Sequence, residues 1–450
     1  MSETQYKICV SEQPGQLAAE VTEFLSQGWE LYGSPFLSGQ NGARHYCQAV
    51  VRLAAQEVIP AAAPEVAVPK PKAVRKSAPP KPVRPPRPRV AVTFRNVAMF
   101  LAVIFGSYLL IEALIFRSEF YTRYLEPESH AGMFETVVWH EVHRPPSGKK
   151  EVLVLGSSRM SEDFSARIAN QPNDGYFFIN AAIPHGRDRA WYYLVREVDP
   201  HRNRYQAIMI PLEDYDDPDT ADDVPDRVVD LRLVISRLRL TDVVPFSFSF
   251  RTWPGRFEAL RGSLLKGVVY QLDFQQFFED PQARIFKATL WRGHERDWFD
   301  AYGGIHHALT GLAVDWNARR VASLPPDNQG PNWLKFYTDG LIDNTPQNGI
   351  VRDLQVRWLS ALADLYRGSH TKIIVYQVPR GPAMPPYPRA RLPWTTVQVL
   401  AKRPWVTIVD RHKFEPLEKP ELFGDLLHMN SDGRAIFSPQ LANLAKEMLH

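Results

Sequence analysis

The sequence predicts an α/β protein whose main domain is a parallel sheet with helices on both faces. From residue 149 onward, short apolar β-runs alternate with helical stretches, a pattern typical of a three-layer sheet. The alternation stops between about residues 218 and 348, where the sequence becomes helical, aromatic and basic, so we predict a large helical insertion there. An apolar segment ahead of residue 118 predicts one transmembrane helix, and residues 1–55 predict a separate small α+β domain.

Residues 1–55 have the pattern of a small β-α-β-β domain. A β-run at Tyr6–Val10 is followed by a helical apolar pattern and by two strands, joined at residues 38–42 by residue types that favour a hairpin turn. The segment resembles a small bacterial domain of unknown function with a GWE-type strand, here at residues 28–30, and a Y-Q-A-type closing strand. The resemblance implies no known chemistry. We interpret the domain as a cytoplasmic interaction or ligand-sensing module, or as a folded appendage.

Residues 56–94 predict an extended linker rich in Pro, Lys and Arg, and residues 95–117 predict a transmembrane helix. Within the helix, Val97–Phe116 is twenty residues long with Glu112 as its only charge, which suits a bilayer core of about 30 Å. The segment begins too far from the N-terminus to be a cleaved signal peptide. We expect the Glu112 carboxylate to reach the outer membrane interface, with a bond to a partner helix as the alternative.

The charge distribution predicts the topology. Nine Lys and Arg residues lie between positions 70 and 95, whereas the net charge of the whole chain is only +3. Because this basic stretch abuts the apolar segment, it favours a cytoplasmic N-terminus in a bacterial inner membrane rather than nucleic-acid binding. The connector at 118–148 and the domain at 149–450 are then expected in the periplasm, and we expect no nucleic-acid partner.

Cysteine and histidine usage predicts neither a disulfide framework nor a metal site. The two cysteines, Cys9 and Cys47, both fall in the small N-terminal domain, which suits a reducing cytosol. In the connector, His140 and His143 are three apart, but no further ligand types complete a convincing site nearby. We therefore predict no metal and no cofactor.

A serine lies at the end of the first β-run of the main domain, where residues 151–155 are followed by Gly-Ser-Ser at 156–158. Far along the chain, Asp425 and His428 lie three apart, just ahead of a C-terminal helical pattern. A serine hydroxyl becomes nucleophilic only when a base takes its proton, and the base needs an acceptor for its other nitrogen. Ser158, His428 and Asp425 therefore predict a catalytic set. The alternative is that Asp425 and His428 are ordinary loop residues before a helix.

These motifs resemble the SGNH/GDSL hydrolase superfamily, whose first block is a strand ending in Gly-Asp-Ser and whose last block is Asp-x-x-His before the final helix. The first block here has Ser157 in place of Asp, a variant of membrane-anchored members that modify bacterial polysaccharides and teichoic acids. The resemblance covers roughly residues 150–212 and 370–450. It implies a flavodoxin-like three-layer sheet, with Ser158 as nucleophile, His428 as general base and Asp425 as the group that orients the base.

The resemblance also implies hydrogen-bond donors for an oxyanion. The glycine of the second block corresponds to Gly186, and the nucleophile's own N–H is a second donor. The third block calls for an Asn after the next strand, but Glu213 and Asp214 stand there, and a carboxylate repels an oxyanion. We expect Asn180 or a residue of the insertion to donate instead, or this donor to be missing.

The insertion at about 218–348 looks like a lid rich in aromatic and basic residues. Its tryptophans could stack on sugar faces and its arginines could meet acidic glycans or lipid headgroups, although core packing is the simpler interpretation of any single tryptophan. These side chains are Trp253, Trp291, Trp298, Trp316, Arg251, Arg256, Arg261 and Arg292. An apolar, basic insertion beside a membrane anchor could also rest on the bilayer surface.

Together with the resemblance, these features predict a membrane-anchored serine O-acyltransferase or esterase that acts on an exported polysaccharide or cell-envelope glycan, with acetyl as the expected group. Membrane-anchored relatives usually work beside a multi-pass membrane O-acyltransferase, so such a protein or a polysaccharide synthase is the expected partner. The rival is a non-catalytic glycan-binding scaffold or regulatory subunit of a polysaccharide secretion complex. The missing Asn favours the rival, whereas the Asp425 and His428 pair favours the enzyme.

Overall fold

A computed structural model describes residues 4–11, 30–40, 43–53, 94–172, 174–213, 215, 228–250, 252–343, 353–386 and 395–449, with single positions between 20 and 29. The chain forms two compact units, Met1–Val90 and Ala91–His450. The predicted linker, apart from Phe94, lies outside the described residues, as do Asp214 and Arg251.

The first unit contains a three-stranded antiparallel sheet in which β3 lies between β1 and β2. The strands are β1 (Thr4–Ser11), β2 (Glu30–Gln40) and β3 (Ala43–Leu53). Gln40 pairs with Ala43, so the predicted hairpin connection is confirmed. Cys9 is fully buried on β1, and the partly buried side chains packed against it are Val21, Phe24 and Trp29.

The second unit begins with a long apolar helix, α1 (Phe94–Ile111), which continues as a π-helical segment, Glu112–Phe116. Over Arg95–Phe116 this helix has 22 residues and a mean hydropathy of 2.3, which is long and apolar enough to cross a membrane. Only 11% of its most apolar 18-residue stretch is buried in the protein, whereas the core helix of a soluble protein is mostly buried. The position agrees with the span predicted at 95–117.

Glu112, near the end of this apolar helix, is 3% exposed. Its Oε1 accepts a hydrogen bond from the N–H of Lys266 at 2.6 Å, and its Oε2 accepts one from the N–H of Gly267 at 2.9 Å. Arg117 Nε lies 3.5 Å from the same carboxylate. The Glu112 carboxylate therefore caps the first N–H groups of a helix in its own chain, and its position at the membrane interface stays a prediction.

The central sheet of the second unit has five parallel strands. They are β4 (Lys150–Val154), β5 (Tyr176–Asn180), β6 (Ala207–Leu212), β9 (Lys372–Gln377) and β10 (Val406–Ile408). The spatial order β10-β9-β6-β4-β5, numbered along the domain, is 2-1-3-4-5, the order of flavodoxin-like doubly wound sheets. The predicted parallel α/β sheet is confirmed. Because the order reverses at β4, the carboxyl end of β4 opens into the crevice where such sheets bind ligands.

Two hydrophobic cores lie on opposite faces of this sheet. On β4, Leu153 belongs to one core, whereas Val152 and Val154 belong to the other. On β9, Ile373 and Ile374 divide in the same way, and all five side chains are fully buried. Strands buried on both faces give continuous apolar runs instead of polar alternation, which is why the sequence could locate them.

The helices of the second unit flank the sheet and form its insertion. After α1 they are α2 (His130–His143), α3 (Ser158–Asp163), α4 (Ala166–Ala169), α5 (Asp188–Val198), α6 (Val228–Val234), α7 (Val243–Ser247), α8 (Trp253–Leu264), α9 (Lys266–Val269), α10 (Gln271–Glu279), α11 (Pro281–Ala301), α12 (Pro331–Tyr337), α13 (Asp353–Leu365), α14 (Thr396–Leu400) and α15 (Ser431–Leu449). The helical pattern across residues 188–198 predicts a helix, and α5 confirms it with the same bounds. The pattern near residues 163–169 predicts one short helix, but the structure has two, α3 and α4, of which the first begins at Ser158.

The segment predicted as a connector, 118–148, carries helix α2. Its Phe134 and Val138 are buried in the same core as Leu153, so this segment is part of the α/β unit. Between β6 and β9, within residues 228–343, helices α6 to α12 accompany a two-stranded antiparallel sheet, β7 (Ala313–Asp315) and β8 (Arg320–Ser323).

Candidate active site

The turn after β4 positions a serine at the start of helix α3. A Cβ at Gly156 would lie 2.2 Å from Met160 Cβ, so the turn closes this tightly only with glycine. The Gly156 carbonyl accepts a hydrogen bond from Trp191 Nε1 at 3.1 Å, which fixes the turn against α5. Ser157 is the N-cap of α3, and Ser158 is its first residue. Ser158 is therefore presented at the carboxyl end of β4.

The structure brings the three predicted catalytic residues together. Ser158 Oγ lies 3.0 Å from His428 Nε2, across a separation of 270 residues. His428 Nδ1 lies 2.8 Å from Asp425 Oδ2. Asp425 Oδ1 accepts hydrogen bonds from the backbone N–H groups of Leu427 and His428, both at 2.7 Å, so the Asp-x-x-His spacing forms a tight turn. A neutral imidazole with its hydrogen on Nδ1 presents a lone pair to the serine.

The electrostatics of the pair suit base catalysis. The hydrogen bond to Asp425 raises the pKa of His428 above its usual value, although burial acts in the opposite direction. Burial alone raises the pKa of Asp425, but the hydrogen bonds from the imidazole and from two backbone N–H groups bring it below its usual value. Asp425 is therefore an anion that stabilises the protonated imidazole formed during proton transfer.

A second carboxylate, Asp163, lies behind the site. It is completely buried, its Oδ1 accepts a hydrogen bond from the N–H of Met429 at 2.7 Å, and its Oδ2 has no partner among the described residues. Burial raises the pKa of Asp163 to about 7, against the opposing effect of Arg159 and His428. Sequence reasoning missed this residue, because nothing in the local pattern distinguishes a buried Asp at a helix end from an exposed one.

Arg434 binds the C-terminal helix α15 to helix α3, which begins with Ser158. Its side chain is 2% exposed, and its Nη1 donates to the carbonyls of Ser161 at 3.0 Å and Glu162 at 2.8 Å. Four residues further along α15, Ser438 Oγ accepts a hydrogen bond from the N–H of Ser165 at 2.9 Å. Both contacts join the nucleophile's segment to the base's segment, and sequence reasoning identified neither.

The insertion contacts both sides of the site. Tyr302 Oη donates a hydrogen bond to Glu162 Oε2 at 2.7 Å, and burial together with this carboxylate raises the pKa of Tyr302 to about 12. Close by, the Ile305 carbonyl accepts a hydrogen bond from the N–H of Ser431 at 2.7 Å. The stretch after α11 thus touches helix α3 and the segment that follows His428.

The loop after β9 lies against the Asp425–His428 turn. Gly381 has a φ of +154°, and a Cβ there would lie 2.9 Å from the carbonyl oxygen of Leu426. In the same loop, the Ala383 carbonyl accepts a hydrogen bond from Trp316 Nε1 at 2.8 Å. Trp316, one of the tryptophans predicted to meet sugars, therefore holds a loop that borders the site.

Gly186 lies beside the nucleophile's turn, since a Cβ there would be 3.4 Å from the Gly156 carbonyl oxygen. Its N–H donates to the Ile183 carbonyl at 2.7 Å, so the predicted oxyanion donor is engaged within its own turn. The N–H of Ser158 is at the first position of α3, and no acceptor for it is found among the described residues. The N–H of Ser158 is therefore free to donate a hydrogen bond to an oxyanion. The predicted role of Gly186 as an oxyanion donor stays a prediction.

Asn180 has a different role from the one predicted. Its Nδ2 donates to the carbonyls of Met160 at 2.9 Å and Phe164 at 2.8 Å, and its Oδ1 accepts from the N–H of Ala182 at 3.0 Å. The residue is 2% exposed. Because both amide hydrogens are used, the expectation that Asn180 donates to an oxyanion is wrong. The side chain instead holds α3 at the end of β5.

At the third block, Glu213 lies 3.8 Å from Arg187 Nη2, with both side chains about 40% exposed. The arginine partly offsets the negative charge that would repel an oxyanion. In the insertion, Arg261 forms an ion pair with Glu258 at 2.8 Å, and Arg292 Nη2 donates to the Thr122 carbonyl at 2.9 Å. Among the described residues, no group of three or more His, Cys, Asp or Glu side chains is arranged to hold a metal ion.

Comparison with known families identifies the N-terminal unit alone. Residues 3–52 match the family model described as Domain of unknown function (DUF1737), which agrees with the small bacterial domain predicted there. No curated protein matches the chain. The match covers the first unit, so any function of the second unit has to be argued from its own geometry.

Proposed function

We propose that the second unit is a serine O-acyltransferase or esterase of the SGNH/GDSL type, with acetyl as the expected group. The observation that carries this proposal is the hydrogen-bonded chain from Ser158 Oγ through His428 to Asp425, with distances of 3.0 and 2.8 Å. These residues come from opposite ends of the domain, and they meet at the carboxyl end of a parallel strand, where doubly wound sheets bind ligands. A nucleophile, a base and a group that orients the base are the set that ester chemistry requires.

In the first half of the reaction, Ser158 Oγ attacks the carbonyl carbon of the acyl donor while its proton passes to His428 Nε2. The oxyanion that forms accepts a hydrogen bond from the Ser158 N–H. As the C–O bond to the leaving alcohol breaks, His428 returns the proton to the departing oxygen, and the acyl group remains on Ser158. Asp425 stays ionised throughout and stabilises the imidazolium.

In the second half, the hydroxyl of a glycan or of water attacks the acyl carbon and gives its proton to His428. The bond from carbon to Ser158 Oγ breaks, and His428 returns the proton to that oxygen. Transfer to a glycan hydroxyl makes the protein an acyltransferase, whereas transfer to water makes it an esterase. We propose an exported polysaccharide or cell-envelope glycan as substrate, with a multi-pass membrane O-acyltransferase or a polysaccharide synthase as partner.

The proposed location is a bacterial inner membrane that the chain crosses once at Arg95–Phe116. The nine basic residues between positions 70 and 95 favour a cytoplasmic N-terminus, and the α/β domain then lies in the periplasm. Fusion of alkaline phosphatase after Leu449 should give active enzyme in intact bacteria, whereas fusion after Val90 should not. The opposite pattern would reverse the topology without affecting the chemistry proposed for Ser158.

A non-catalytic glycan-binding scaffold is the second candidate. It is favoured by the engaged N–H of Gly186 and by the Asn180 amide, both of whose hydrogens are used, because an oxyanion hole that lacks one donor typically loses about 10²–10³ in kcat. A scaffold would retain the fold and the membrane helix but would neither hydrolyse esters nor react with serine-directed reagents.

The deciding experiment uses the full chain in detergent with p-nitrophenyl acetate and a fluorophosphonate probe. Ser158→Ala should abolish labelling and lower the hydrolysis rate by about 10³ or more. Ser161→Ala is the matched control, since Ser161 lies in the same helix and its Oγ contacts the Ser157 carbonyl at 3.3 Å. Hydrolysis that survives Ser158→Ala removes the nucleophile assignment, and a wild-type protein that neither hydrolyses nor labels supports the scaffold.

A further inference from the structure

The insertion and the segment just after the apolar helix expose large apolar side chains around the end of that helix, which we call the collar. We define the collar as Phe120, Phe248, Trp253, Phe257, Leu264 and Phe278, which are between 44% and 73% exposed. Single exposed apolar residues are normal on a protein surface, but a contiguous group of this kind usually marks an interaction site. The inference about its partner rests on the proposal that Arg95–Phe116 crosses a bilayer.

Helix α8 exposes its large apolar side chains and buries small ones, which is the opposite of a helix that faces water. Trp253, Phe257 and Leu264 are spaced four and seven residues apart and therefore lie on one face. The opposite side is buried through small residues, Ala259 and Gly262. A water-exposed helix buries its large apolar side chains and exposes its polar ones, so the large face of α8 is suited to an apolar environment.

Polar contacts hold the end of α8 at the end of the apolar helix. Arg117, the first residue after the span, donates through Nη2 to the carbonyl oxygens of Ser263 at 2.6 Å and Leu264 at 2.5 Å. Two residues further along, the N–H groups of Lys266 and Gly267 donate to the Glu112 carboxylate. Leu264 is therefore at the level where the span leaves the bilayer.

Aromatic contacts extend the collar on the other side of the same helix end. The Phe116 ring lies 5.2 Å from the ring of Phe274, which lies 4.8 Å from the ring of Phe278. Phe278 is 64% exposed, so a row of packed rings leads from the last residue of the span to an open surface. The collar is thus continuous with the membrane segment on both sides.

Arg256 connects the two halves of the α7–α8 region. Its guanidinium lies 5.1 Å from the ring centroid of Trp253 and 5.9 Å from that of Phe248. An arginine that covers aromatic faces while keeping its charge near solvent is the arrangement found where a protein meets lipid headgroups.

We propose that the collar inserts into the interfacial layer of the bilayer leaflet from which the α/β domain emerges, so that α8 lies in the membrane surface beside the span. Lipid is the occupant that the geometry favours, because the collar adjoins the point where the chain leaves the bilayer and needs no further partner to be covered. The apolar face then enters about 5–10 Å into the boundary between headgroups and acyl chains.

The test places an environment-sensitive NBD fluorophore at single cysteines of the full chain, after Cys9 and Cys47 have been replaced by alanine. The probe position is Phe257→Cys, and the matched control is Phe336→Cys, 49% exposed on helix α12 beside the opposite core. Val103→Cys in α1 reports on the span itself. Each labelled protein is reconstituted in nanodiscs of phosphatidylglycerol and phosphatidylethanolamine. The lipids are unbrominated, brominated near the headgroup end of the acyl chains, or brominated near the chain ends, where the bromines reach a probe at position 103 in the middle of the span.

We expect brominated lipid to lower the fluorescence at position 257 about twofold and to leave position 336 unchanged. Trp253→Cys should respond like position 257, and circular dichroism with an unchanged thermal midpoint should show that each variant is folded. Unquenched probes at 253 and 257 with a quenched probe at 103 overturn the collar proposal while leaving the anchor in place. If those unquenched probes are also shielded from aqueous iodide, a second protein covers the surface instead of lipid. An unquenched probe at 103 instead refutes the anchor.

Discussion

Replacing Asp425 by Asn tests whether the carboxylate acts through His428. Asp425 Oδ2 accepts the hydrogen bond from His428 Nδ1 at 2.8 Å, while Oδ1 holds the turn through the N–H groups of Leu427 and His428. Asparagine keeps Oδ1 and therefore the turn, but it presents an NH₂ group to Nδ1. The imidazole then carries its hydrogen on Nε2 and cannot take the proton of Ser158.

The size of the loss follows from how exposed the carboxylate is. In the buried Ser-His-Asp arrangement of serine proteases, the equivalent change lowers kcat by about 10⁴. The Asp425 side chain is 48% exposed, so water can replace part of its interaction with the imidazole. We therefore expect kcat/KM to fall by about 10²–10³, which is roughly 3–4 kcal/mol of transition-state stabilisation.

The assay is hydrolysis of p-nitrophenyl acetate, with the rate of fluorophosphonate labelling at Ser158 as a second measure, between pH 5 and 9. Only neutral His428 accepts a proton, so wild-type activity rises as the pH passes the His428 pKa, which the Asp425 hydrogen bond raises. Without the carboxylate, the remaining activity should have its inflection at lower pH. Asp432→Asn, in the first turn of α15, is the control. An Asp425→Asn variant within about threefold of wild type, with an unmoved inflection, would refute the orienting role.

Three further changes test the turn before Ser158, the buried carboxyl of Asp163 and the cap that Glu112 forms on α9. Gly156→Ala places a Cβ 2.2 Å from Met160 Cβ and should lower the free energy of unfolding of the second unit by about 1–3 kcal/mol. Gly293→Ala is the control, because an added Cβ there would meet no neighbouring side chain or backbone within 4 Å, and it should raise that free energy by about 0.5–1 kcal/mol. Thermal midpoints that shift in the same direction in both variants would contradict this. The folded-state pKa of Asp163, about 7, lies above its unfolded value, so its contribution to stability is complete below that lower value and is lost as pH rises through 7. The midpoint of Asp163→Asn should therefore exceed that of wild type by more at pH 8 than at pH 5, and a constant difference argues against a protonated carboxyl. Glu112→Ala leaves the N–H groups of the α9 start unpaired and should speed hydrogen exchange across residues 263–270, while unchanged exchange would mean that the cap is not formed.

The sequence predicted best what depends on local patterns. The strand at 207–212 is buried throughout, and a run of apolar residues is enough to locate it. Helix α5 has large apolar residues on one face and polar residues on the other, so its bounds could be predicted as well. Ser158 and the Asp425–His428 turn could be found because a strand-end serine and the Asp-x-x-His spacing are both local features.

Residues whose role depends on tertiary contacts were missed or misassigned. Asp163 ends the short helix α3 and Arg434 lies in the long helix α15. Only their burial raises the pKa of Asp163 and lets the Arg434 side chain bind the backbone of α3. Asn180 stands at a strand end where a donor to substrate was expected, but its side chain turns toward the backbone of α3. The cap that Glu112 forms was missed, because its partners lie 154 and 155 residues away in the insertion.

The difference between Gly156-Ser157-Ser158 and the Gly-Asp-Ser block that it resembles also has a local explanation. In that resemblance Ser157 takes the place of an Asp, and its Oγ accepts a hydrogen bond from the N–H of Arg159 at 3.4 Å as the N-cap of α3. Aspartate and serine are comparably good at this position, since both offer a side-chain oxygen to the first free N–H groups of a helix. The substitution therefore preserves the start of α3 and with it the placement of Ser158.

The distance between nucleophile and base is set by contacts that lie outside the catalytic set. Ser158 begins α3, and His428 comes three residues before α15, so their separation depends on how these two helices are fixed to each other. Arg434 binds two carbonyls of α3, and Asp163 at the end of α3 binds the N–H of Met429. A displacement of about 1 Å at a reacting group can cost about 100-fold in rate. The activity proposed here should consequently depend on Arg434 and Asp163, although neither forms a hydrogen bond with Ser158 Oγ or the His428 ring among the described residues, and a motif search restricted to the catalytic set cannot identify them.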